Sequence, residues 1–321
     1  MNVSVIIPTY NNEHTIGSVL KALKNQEYDK GQVDVIVIDD GSKDSTVRIC
    51  GAHGVNVVCN ERNSGLAYTL NKGIRLSNHE IVVTLHGDTI PLSTKWLSKL
   101  VKPLGKSCFA ASCSLQSPPR LERDNLSLWE KLLWAKLEEH NALNNKADAY
   151  RKTTLLEIGL FDDKTFRTAG EDEDIAFRLR EANKGIAATK ARVRHDHHFS
   201  GASGVHSLLR ILKKEYVFGQ AGGALRRKFP FHKPGSYVYP RPKSFVADGS
   251  FRTMVCIGCF LPYIQVVCIP LLFSTSFLGV TKTVKLAGTQ KAVLLYPLLN
   301  IMRFWFYTLG YCLGIIRGKQ T

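Results

Sequence analysis

The feature that most constrains the fold of this 321-residue chain is the alternation, over its first 85 residues, of short apolar runs with helix-like segments. The apolar runs cover residues 3–7, 33–38, 55–59 and 81–85, and the helical patterns between them cover 16–23, 43–50 and 66–76. Strands that are apolar throughout are typical of sheets buried on both faces. We therefore predict an α/β domain with a mostly parallel sheet and flanking helices.

Polar residues directly follow three of these strands. The first strand leads into residues 8–13 (PTYNNE), the second into residues 39–42 (DDGS) and the fourth into residues 86–88 (HGD). In open α/β sheets, ligands bind where the carboxyl ends of the strands meet helix N-termini. The sequence contains neither a GxGxxG nor a GxxxxGK[ST] loop, which excludes the two commonest nucleotide-binding loops.

Three carboxylates stand out in these loops. Asp39 and Asp40 are placed to accept hydrogen bonds from a ribose or from the N–H group of a base. Asp88 follows a buried strand, where an unpaired carboxylate is costly. A hard divalent cation would offset that cost and would also bridge a diphosphate. Each carboxylate taken alone could equally cap a following helix, but three such loops at neighbouring strand ends favour a ligand site.

Two later clusters add titratable groups. Residues 171–174 (EDED) place four acids in a row, whose mutual repulsion raises at least one pKa, as a general base requires. Alternatively, they form a solvated first turn of a helix, where the helix dipole favours acids. His195, His197 and His198 suggest contact with a metal or a phosphate, although their spacing fits no zinc site. A surface histidine patch is the alternative.

The charge of the chain is concentrated in its last third. Of the net charge of +16, most lies in residues 200–321, which hold 16 basic side chains and two acidic ones. Such a segment needs an anionic neighbour: nucleic acid, an anionic membrane surface or a phosphorylated substrate. Between Arg252 and Lys282 lie 29 uncharged residues, and residues 292–316 form a second apolar stretch interrupted by Arg303. About 20 apolar residues span a bilayer, so a membrane is favoured.

These patterns predict three regions: an α/β domain over residues 1–204, a basic amphipathic segment over 205–250 and a hydrophobic region over 251–321. In the last region we expect two membrane helices, or a re-entrant pair because Pro262 and Pro270 allow the first run to kink. Two buried helices are the remaining alternative. Residues 1–8 lack a basic region and indicate a strand, not a signal peptide, so we expect the α/β domain to lie in the cytoplasm.

In order and spacing, these motifs resemble the GT-A domain of family 2 glycosyltransferases over roughly residues 1–220. Residues 8–13 and 39–42 are similar to its opening, and 159–162 (GLFD) and 170–174 (GEDED) are similar to two later landmarks, the second of which holds the catalytic base. Residues 86–88 lie where the family carries its Asp-x-Asp metal motif, with a histidine in place of the first aspartate.

The resemblance implies a metal-dependent transfer with inversion at the sugar. The nucleotide would lie against Pro8, Thr9, Tyr10, Glu13, Asp39 and Asp40. Mn²⁺ or Mg²⁺ would bind Asp88 and His195, with His86 as a further candidate ligand, and imidazole suits Mn²⁺ better. Asp172 would be the catalytic base, supported by Glu171 and Asp174.

The expected enzyme therefore moves a sugar from a UDP- or GDP-linked donor to a polyprenyl-phosphate-linked or glycan acceptor, as in cell-envelope glycan synthesis. It would work at the cytoplasmic face of the cell membrane. Lipid phosphates would contact Lys213, Lys214, Arg226 and Arg227. The alternatives are a nucleic-acid-binding protein, which would not need the long uncharged run, and a membrane-bound relative without catalysis, against which the retained aspartates argue. We expect no nucleic-acid partner.

Overall fold

A computed structural model describes residues 1–29, 31–117, 127–134, 139–141, 143–196, 204–230, 249–261, 263–277, 280 and 291–320. The chain divides into two compact units. The first consists mainly of residues 1–119 and 139–198, and the second contains residues 120–138, 199–236 and 240–321. The predicted boundaries at residues 204 and 250 stay a prediction. Residues 120–138 group with the second unit, which the sequence patterns did not indicate.

The first unit is a sheet with helices on both faces. Its strands are β1 (Val3–Thr9), β2 (Val33–Asp39), β3 (Asn56–Cys59), β4 (Ile81–Leu85), β5 (Thr89–Pro91), β6 (Phe109–Ser117), β7 (His140–Asn141), β8 (Ala147–Arg151) and β9 (Gly185–His195). Its helices are α1 (Ile16–Lys24), α2 (Thr46–Ala52), α3 (Leu66–Leu76), α4 (Trp96–Val101), α6 (Lys152–Glu157) and α7 (Glu171–Glu181), with a 3₁₀ turn at Lys102–Gly105. The predicted α/β class is confirmed.

The strand order brings several chain segments to one edge of the sheet. Within the described residues the order is β3-β2-β1-β4-β8-β6-β9-β5, with β7 beside β6. The strands from β3 to β4 are parallel, so their carboxyl ends share an edge. β8 runs antiparallel to β4, with Leu85 opposite Ala147, so the start of β8 lies at this same edge. β5 pairs with β9, which puts Thr89 opposite His195.

The core explains why the predicted strands are apolar throughout. Val3, Val5 and Ile7 of β1 pack with α1 and α4 on one face of the sheet. Ile6 faces the other way and packs with α3 and α7. A strand covered on both faces buries every residue, which removes the polar alternation of a half-exposed strand.

One predicted helix begins later than the sequence pattern suggested. The spacing predicted a helix from residue 43, but α2 begins at Thr46. The Asp44 carboxylate accepts a hydrogen bond from the Thr46 backbone N–H, which ends the preceding loop and starts the helix. The N-cap residue is Ser45, and Asp44 orders the turn before it.

The second unit is helical. Its helices are α5 (Leu128–Trp134), α8 (Gly204–Lys228), α9 (Gly249–Gly258), α10 (Gln265–Ser276) and α11 (Ala292–Arg317). α8 and α11 touch backbone to backbone through glycines. A Cβ atom on Gly219 would lie 2.1 Å from the Tyr307 carbonyl oxygen, and one on Gly310 would lie 2.0 Å from that of Tyr216. Small residues at such contacts are typical of helix pairs in membranes.

The two apolar stretches differ in the structure. The first uncharged run holds α10 and most of α9, which are about 18 and 15 Å long and so shorter than the ~30 Å hydrocarbon core. In the part of the chain that the structure describes, Val293–Arg317 is the helix with the length and apolar composition to cross a bilayer. The described part of the first run thus forms two short helices, and its arrangement in a membrane stays a prediction. Pro262, Lys282 and Lys285 lie outside the described residues.

Candidate active site

The loops after β1 and β2 are held together by reciprocal hydrogen bonds. The Asn11 backbone N–H donates to Ser42 Oγ (2.9 Å), and the Lys43 N–H donates to Asn11 Oδ1 (2.8 Å). The Glu13 N–H donates to Asp44 Oδ2, and the Ser45 N–H donates to Glu13 Oε2, both at 3.0 Å. These two loops, residues 10–13 and 40–46, therefore form one rigid rim at the edge of the sheet.

Asp39 is the centre of this rim. Its carboxylate accepts hydrogen bonds from Thr9 Oγ1 (3.2 Å), from the Gly41 and Ser42 backbone N–H groups (3.1 and 2.9 Å) and from Ser42 Oγ. Four donors match the four lone-pair positions of a carboxylate. Asp39 is 2% exposed. In this structure it orders the loop, and its contact with a nucleotide stays a prediction.

Asp40 holds a different segment. It accepts hydrogen bonds from Asn60 Nδ2 (2.8 Å) and from the backbone N–H groups of Ser64 (2.8 Å) and Gly65 (2.9 Å). This carboxylate is buried and anchors residues 60–65 at the start of α3. Pro8 and Thr9 are buried as well, whereas Tyr10 is 46% exposed. Of the predicted nucleotide contacts, Tyr10 and the partly exposed Glu13 are the accessible ones.

The structure brings Asp88 and His195 together, as predicted. Asp88 Oδ2 lies 2.9 Å from His195 Nε2, and the Asp196 backbone N–H donates to the Asp88 carbonyl (2.7 Å). The pairing of β5 with β9 fixes this contact because Asp88 directly precedes β5. Both side chains are partly exposed. His197 and His198 lie outside the described residues.

His86 lies beside this pair. Its backbone N–H donates to the Lys146 carbonyl (2.9 Å), which continues the β4–β8 pairing. Burial lowers the pKa of its imidazole to about 3, although the nearby Asp88 carboxylate opposes the shift. The ring is therefore neutral near pH 7. Its Nε2 is buried without a hydrogen-bond partner among the described residues.

These residues fit a divalent cation that also binds a ligand. Within the described part of the chain, no group of three or more His, Cys, Asp or Glu side chains is arranged to hold a metal by itself. Asp88 and His195 offer one oxygen and one nitrogen donor, and His86 offers a neutral nitrogen without a partner. Carboxylate and imidazole suit Mn²⁺, and the remaining positions would fall to an oxygen-rich ligand such as a diphosphate.

A cluster of acids lies at the start of α7. Gly170 precedes this helix with φ of +90°, a backbone conformation that favours glycine. Asp148 on β8 belongs to the same cluster. Its Oδ2 accepts hydrogen bonds from the backbone N–H groups of Asn144 (2.7 Å) and Asn145 (2.6 Å). Burial nonetheless raises the pKa of Asp148 to about 7, and the Asp172 carboxylate adds to the rise.

Glu171 and Asp172 complete the cluster. Burial and the neighbouring Asp172 carboxylate raise the pKa of Glu171 to about 8, and its Oε2 has no hydrogen-bond partner among the described residues. Burial also raises the pKa of Asp172, while Lys146 opposes the shift. Asp172 is partly exposed, whereas Glu171 and Asp148 are buried. Asp172 is thus the acid of the cluster that a ligand can reach.

Comparison with known proteins identifies the fold that carries these residues. Residues 4–163 match the model of the family described as Glycosyl transferase family 2. The chain belongs to glycosyltransferase family 2. Its predicted GT-A fold is also supported by the mannosyltransferase PcManGT from Pyrobaculum calidifontis, solved in complex with GDP-Man and Mn²⁺. The two structures superpose with a TM-score of 0.57 at 18% identity, over 98% of this chain and 86% of PcManGT.

Two curated relatives carry glycosyltransferase names. The glycosyltransferase AglE of Haloferax volcanii is 33% identical over 107 residues, which are 32% of this chain and 35% of AglE. The O-antigen chain rhamnosyltransferase RfbN of Salmonella typhimurium is 26% identical over 218 residues, which are 62% of this chain and 68% of RfbN. The match therefore spans about a third of the length of AglE.

In this glycosyltransferase domain, Asp174, which was predicted to support Asp172, has a partner of its own. It is buried and forms a salt bridge with Arg178, whose Nε lies 2.8 Å from Asp174 Oδ2. The same guanidinium donates to the carbonyl oxygens of Ile158 and Leu160. Because residues i and i+4 share a helix face, this pair ties α7 to the preceding loop. Arg178 therefore offsets the charge of Asp174.

Three residues of the site were not predicted from the sequence: Lys146, Asp148 and Asn145. Their positions follow from the antiparallel insertion of β8 beside β4, a non-local pairing. One signal was available. Residues 147–150 (ADAY) place an aspartate in an otherwise apolar strand, and a buried acid is costly unless it has partners or a function.

The predicted lipid-contacting residues all lie on α8. Lys213 and Lys214 are exposed, and Arg226 is partly exposed. Arg227 donates hydrogen bonds to the carbonyl oxygens of Ile315 (3.0 Å) and Ile316 (2.6 Å) near the end of α11. A cation at a helix C-terminus offsets the helix dipole, so Arg227 has a structural contact in addition to any lipid contact.

Proposed function

We propose that this protein is an inverting glycosyltransferase that moves a sugar from a UDP- or GDP-linked donor to a lipid-linked or glycan acceptor. It would act at the cytoplasmic face of the cell membrane. The observation that carries the proposal is one edge of the sheet, where the Asp88–His195 pair and the partly exposed Asp172 both lie. Lys146 lies between them. Its carbonyl oxygen accepts a hydrogen bond from the His86 N–H, and its charge opposes the rise in the pKa of Asp172.

The donor would lie on the side of Asp88. Its diphosphate would share a divalent cation with Asp88, His195 and His86, and that cation supplies charge neutralisation for the departing nucleoside diphosphate. Tyr10 and Glu13 border the same edge and are accessible to the nucleotide. PcManGT, which shares the fold, was solved with GDP-Man and Mn²⁺, and this supports the same ligand classes here.

The acceptor would lie on the side of Asp172. A carboxylate with a raised pKa that remains accessible is suited to take the proton of an acceptor as it attacks the sugar. The attack would come from the face opposite the leaving group, so a single displacement inverts the anomeric centre. Lys146 favours the ionised form of Asp172, which is the form that accepts a proton.

The second unit would attach the enzyme to the membrane. On α9, α10 and the turn between them, several apolar side chains are more than half exposed: Met254, Phe260, Tyr263, Val266 and Phe273. The hydroxyls of Thr275 and Ser276 donate to carbonyl oxygens of their own helix, as a lipid environment requires. We infer that α9 and α10 enter one leaflet as a hairpin and that α11 crosses the bilayer.

The charged residues of this unit are consistent with that placement. Arg303 interrupts the apolar sequence of α11, and its Nε donates to Glu215 Oε1 of α8 at 2.6 Å. Ionisable residues inside a bilayer are tolerated when they pair in this way. The exposed Lys213 and Lys214 would contact anionic lipid head groups.

The proposal is tested by a donor screen. The full chain in detergent with Mn²⁺ should unfold at a higher temperature with one UDP- or GDP-linked sugar, because binding stabilises the folded state. Turnover of that donor should be abolished by Asp88→Ala and retained by His86→Asp, which restores the acidic pair of the family motif. Full activity of Asp88→Ala in the presence of a chelator, or no stabilisation by any donor, would contradict the proposal.

A further inference from the structure

Two segments of the first unit that are distant in the chain contact each other. One is the loop 60–65, which precedes α3, and the other is the segment 159–170, which leads into α7. Their contact joins residues that are 104 positions apart. Asp172 lies in the first turn of α7, directly after the second segment. Its position therefore depends on how the segment 159–170 is held.

The loop 60–65 is anchored on the side of β2. Three hydrogen-bond donors of this loop share the carboxylate of Asp40. The loop also passes so close to Gly41 that a Cβ atom there would lie 3.1 Å from the backbone nitrogen of Asn63. None of these contacts involves the segment 159–170. The loop is thus fixed to the rim by itself and can serve as a support for another segment.

The first half of the segment 159–170 is held by α3. The Phe161 backbone N–H donates to Asn71 Oδ1 (3.0 Å), and Asn71 Nδ2 donates to the Phe161 carbonyl oxygen (2.8 Å) and to Asp163 Oδ2 (3.0 Å). Asn71 is buried, so these hydrogen bonds are shielded from water. They fix residues 161–163, which leaves the residues between Asp163 and α7 to be held by other contacts.

Arg167 supplies such a contact with the loop 60–65. Its Nη2 donates to the carbonyl oxygen of Asn63 (2.8 Å) and to Asn63 Oδ1 (2.9 Å). Its own carbonyl oxygen accepts a hydrogen bond from the Leu66 backbone N–H at 2.7 Å. The packing is close, because a Cβ atom on Gly65 would lie 2.5 Å from Arg167 Cγ. Both the side chain and the backbone of Arg167 are therefore tied to the same loop.

These hydrogen bonds affect position more than stability. Arg167 is exposed, and exposed charged contacts contribute little to the free energy of unfolding. The planar guanidinium nevertheless binds its acceptors in a fixed direction, which a flexible ammonium does less well. A general base must lie within hydrogen-bond reach of the proton that it takes. A small displacement of the chain before α7 would therefore lower the rate without unfolding the domain.

We propose that Arg167 is a positioning residue: by binding Asn63, it holds residues 163–170 so that Asp172 lies within reach of the acceptor. This inference rests on the proposed function, which makes Asp172 the base, and adds a residue that acts through Asp172. Because the loop 60–65 is also anchored by Asp40, loss of the Arg167 side chain should displace the Asp172 side of the site and leave the donor side in place.

The variant Arg167→Ala separates positioning from binding and stability. The full chain in detergent receives Mn²⁺ and the UDP- or GDP-linked sugar that stabilises it. We expect kcat to fall roughly tenfold, with the Kd of the donor from isothermal titration within about twofold of the wild type, because a misplaced base loses rate and not donor affinity. The midpoint of urea unfolding should be unchanged. Arg167→Lys keeps a charged donor and should recover part of the lost kcat.

Lys164→Ala is the matched control because Lys164 is an exposed cation of the same segment, and it should keep the wild-type kcat. Two results would overturn the inference and leave the proposed function intact. One is a wild-type kcat for Arg167→Ala. The other is a loss of kcat accompanied by an equal weakening of donor binding or by a lower urea midpoint, which would indicate a general structural role. If the wild type turns over no donor, the proposed function fails, and the inference with it.

Discussion

The aspartates that follow β2 and the acids at the start of α7 differ in how many hydrogen-bond donors surround them. Asp39 accepts four hydrogen bonds and Asp40 accepts three, all from nearby loops. Asp172 accepts hydrogen bonds from the Glu173 N–H and from its own N–H, and Glu171 Oε2 has no partner among the described residues. Both groups lie beside sheet-edge loops, but their surroundings give them opposite uses.

The difference teaches what hydrogen bonding does to a buried acid. A carboxylate with a full set of donors is stabilised as an anion and fixes the loops that supply those donors. A buried carboxyl with few donors favours the protonated form, so its pKa rises towards the range where proton transfer is useful. We therefore expect the first group to have a structural role and the second to be suited to chemistry.

The largest expected effect is a loss of stability when Asp40 is removed. Asp40→Ala leaves Asn60 Nδ2 and the N–H groups of Ser64 and Gly65 without their acceptor. Each lost buried partner costs ~1–3 kcal/mol, so losing three should lower the free energy of unfolding by at least ~3 kcal/mol. Urea unfolding measures this change. Asp29→Ala, at an exposed position, is the control and should stay within ~0.5 kcal/mol; an equally small loss for Asp40→Ala would refute the structural role.

The next effect is a pH dependence that belongs to the acid cluster. The pKa of Asp148 is about 7 in the folded state, against an ordinary value near 3.9. Between these values the unfolded chain has lost a proton that the folded chain keeps, so stability falls as pH rises. One such group contributes about 1.4 kcal/mol per pH unit.

Asp148→Asn should remove this contribution because its side-chain oxygen can still accept from Asn144 and Asn145. Urea unfolding at pH 5, 6 and 7 should therefore give a flatter stability profile for the variant than for the wild type. Parallel profiles would indicate that Asp148 does not keep its proton over this pH range, which would contradict the account of the acid cluster.

The smallest expected effect is on donor binding at the loop after β1. If Asp39 and Asp40 are structural, donor contacts near β1 come from accessible side chains, of which Tyr10 is one. Aromatic contacts contribute ~0.5–1.5 kcal/mol, so Tyr10→Ala should weaken donor binding by roughly fivefold with little change in stability. Isothermal titration with the donor and Mn²⁺ measures this. Tyr68→Ala removes a similarly exposed tyrosine from α3 and should bind as the wild type does.

Local sequence patterns were sufficient to predict the strands β1 to β4. β1 to β4 are neighbours in a parallel arrangement whose polar loops follow each strand, so Asp88 could be placed at the sheet edge from the sequence alone. The start of α7 was equally accessible, because four acids after a glycine favour a helix N-terminus.

The remaining features depend on contacts between distant residues. The pairing of β8 with β4 joins segments over 60 residues apart, and it alone places Lys146 and Asp148 in the site. The partners of Asp39 and Asp40 are similarly set by tertiary structure, so the sequence could not distinguish a loop-ordering carboxylate from a ligand-binding one. The salt bridge of Asp174 with Arg178 likewise depends on which face of α7 is buried.

One measurement tests the division between structural and reactive acids most directly: turnover per folded molecule, at saturating donor, for Asp40→Ala and Asp172→Asn side by side. The account predicts that Asp172→Asn retains its stability and loses at least 100-fold in rate. It predicts that folded Asp40→Ala stays within about tenfold of the wild-type rate despite its lower stability. A near-wild-type rate for Asp172→Asn, together with a collapse of turnover in folded Asp40→Ala, would contradict it.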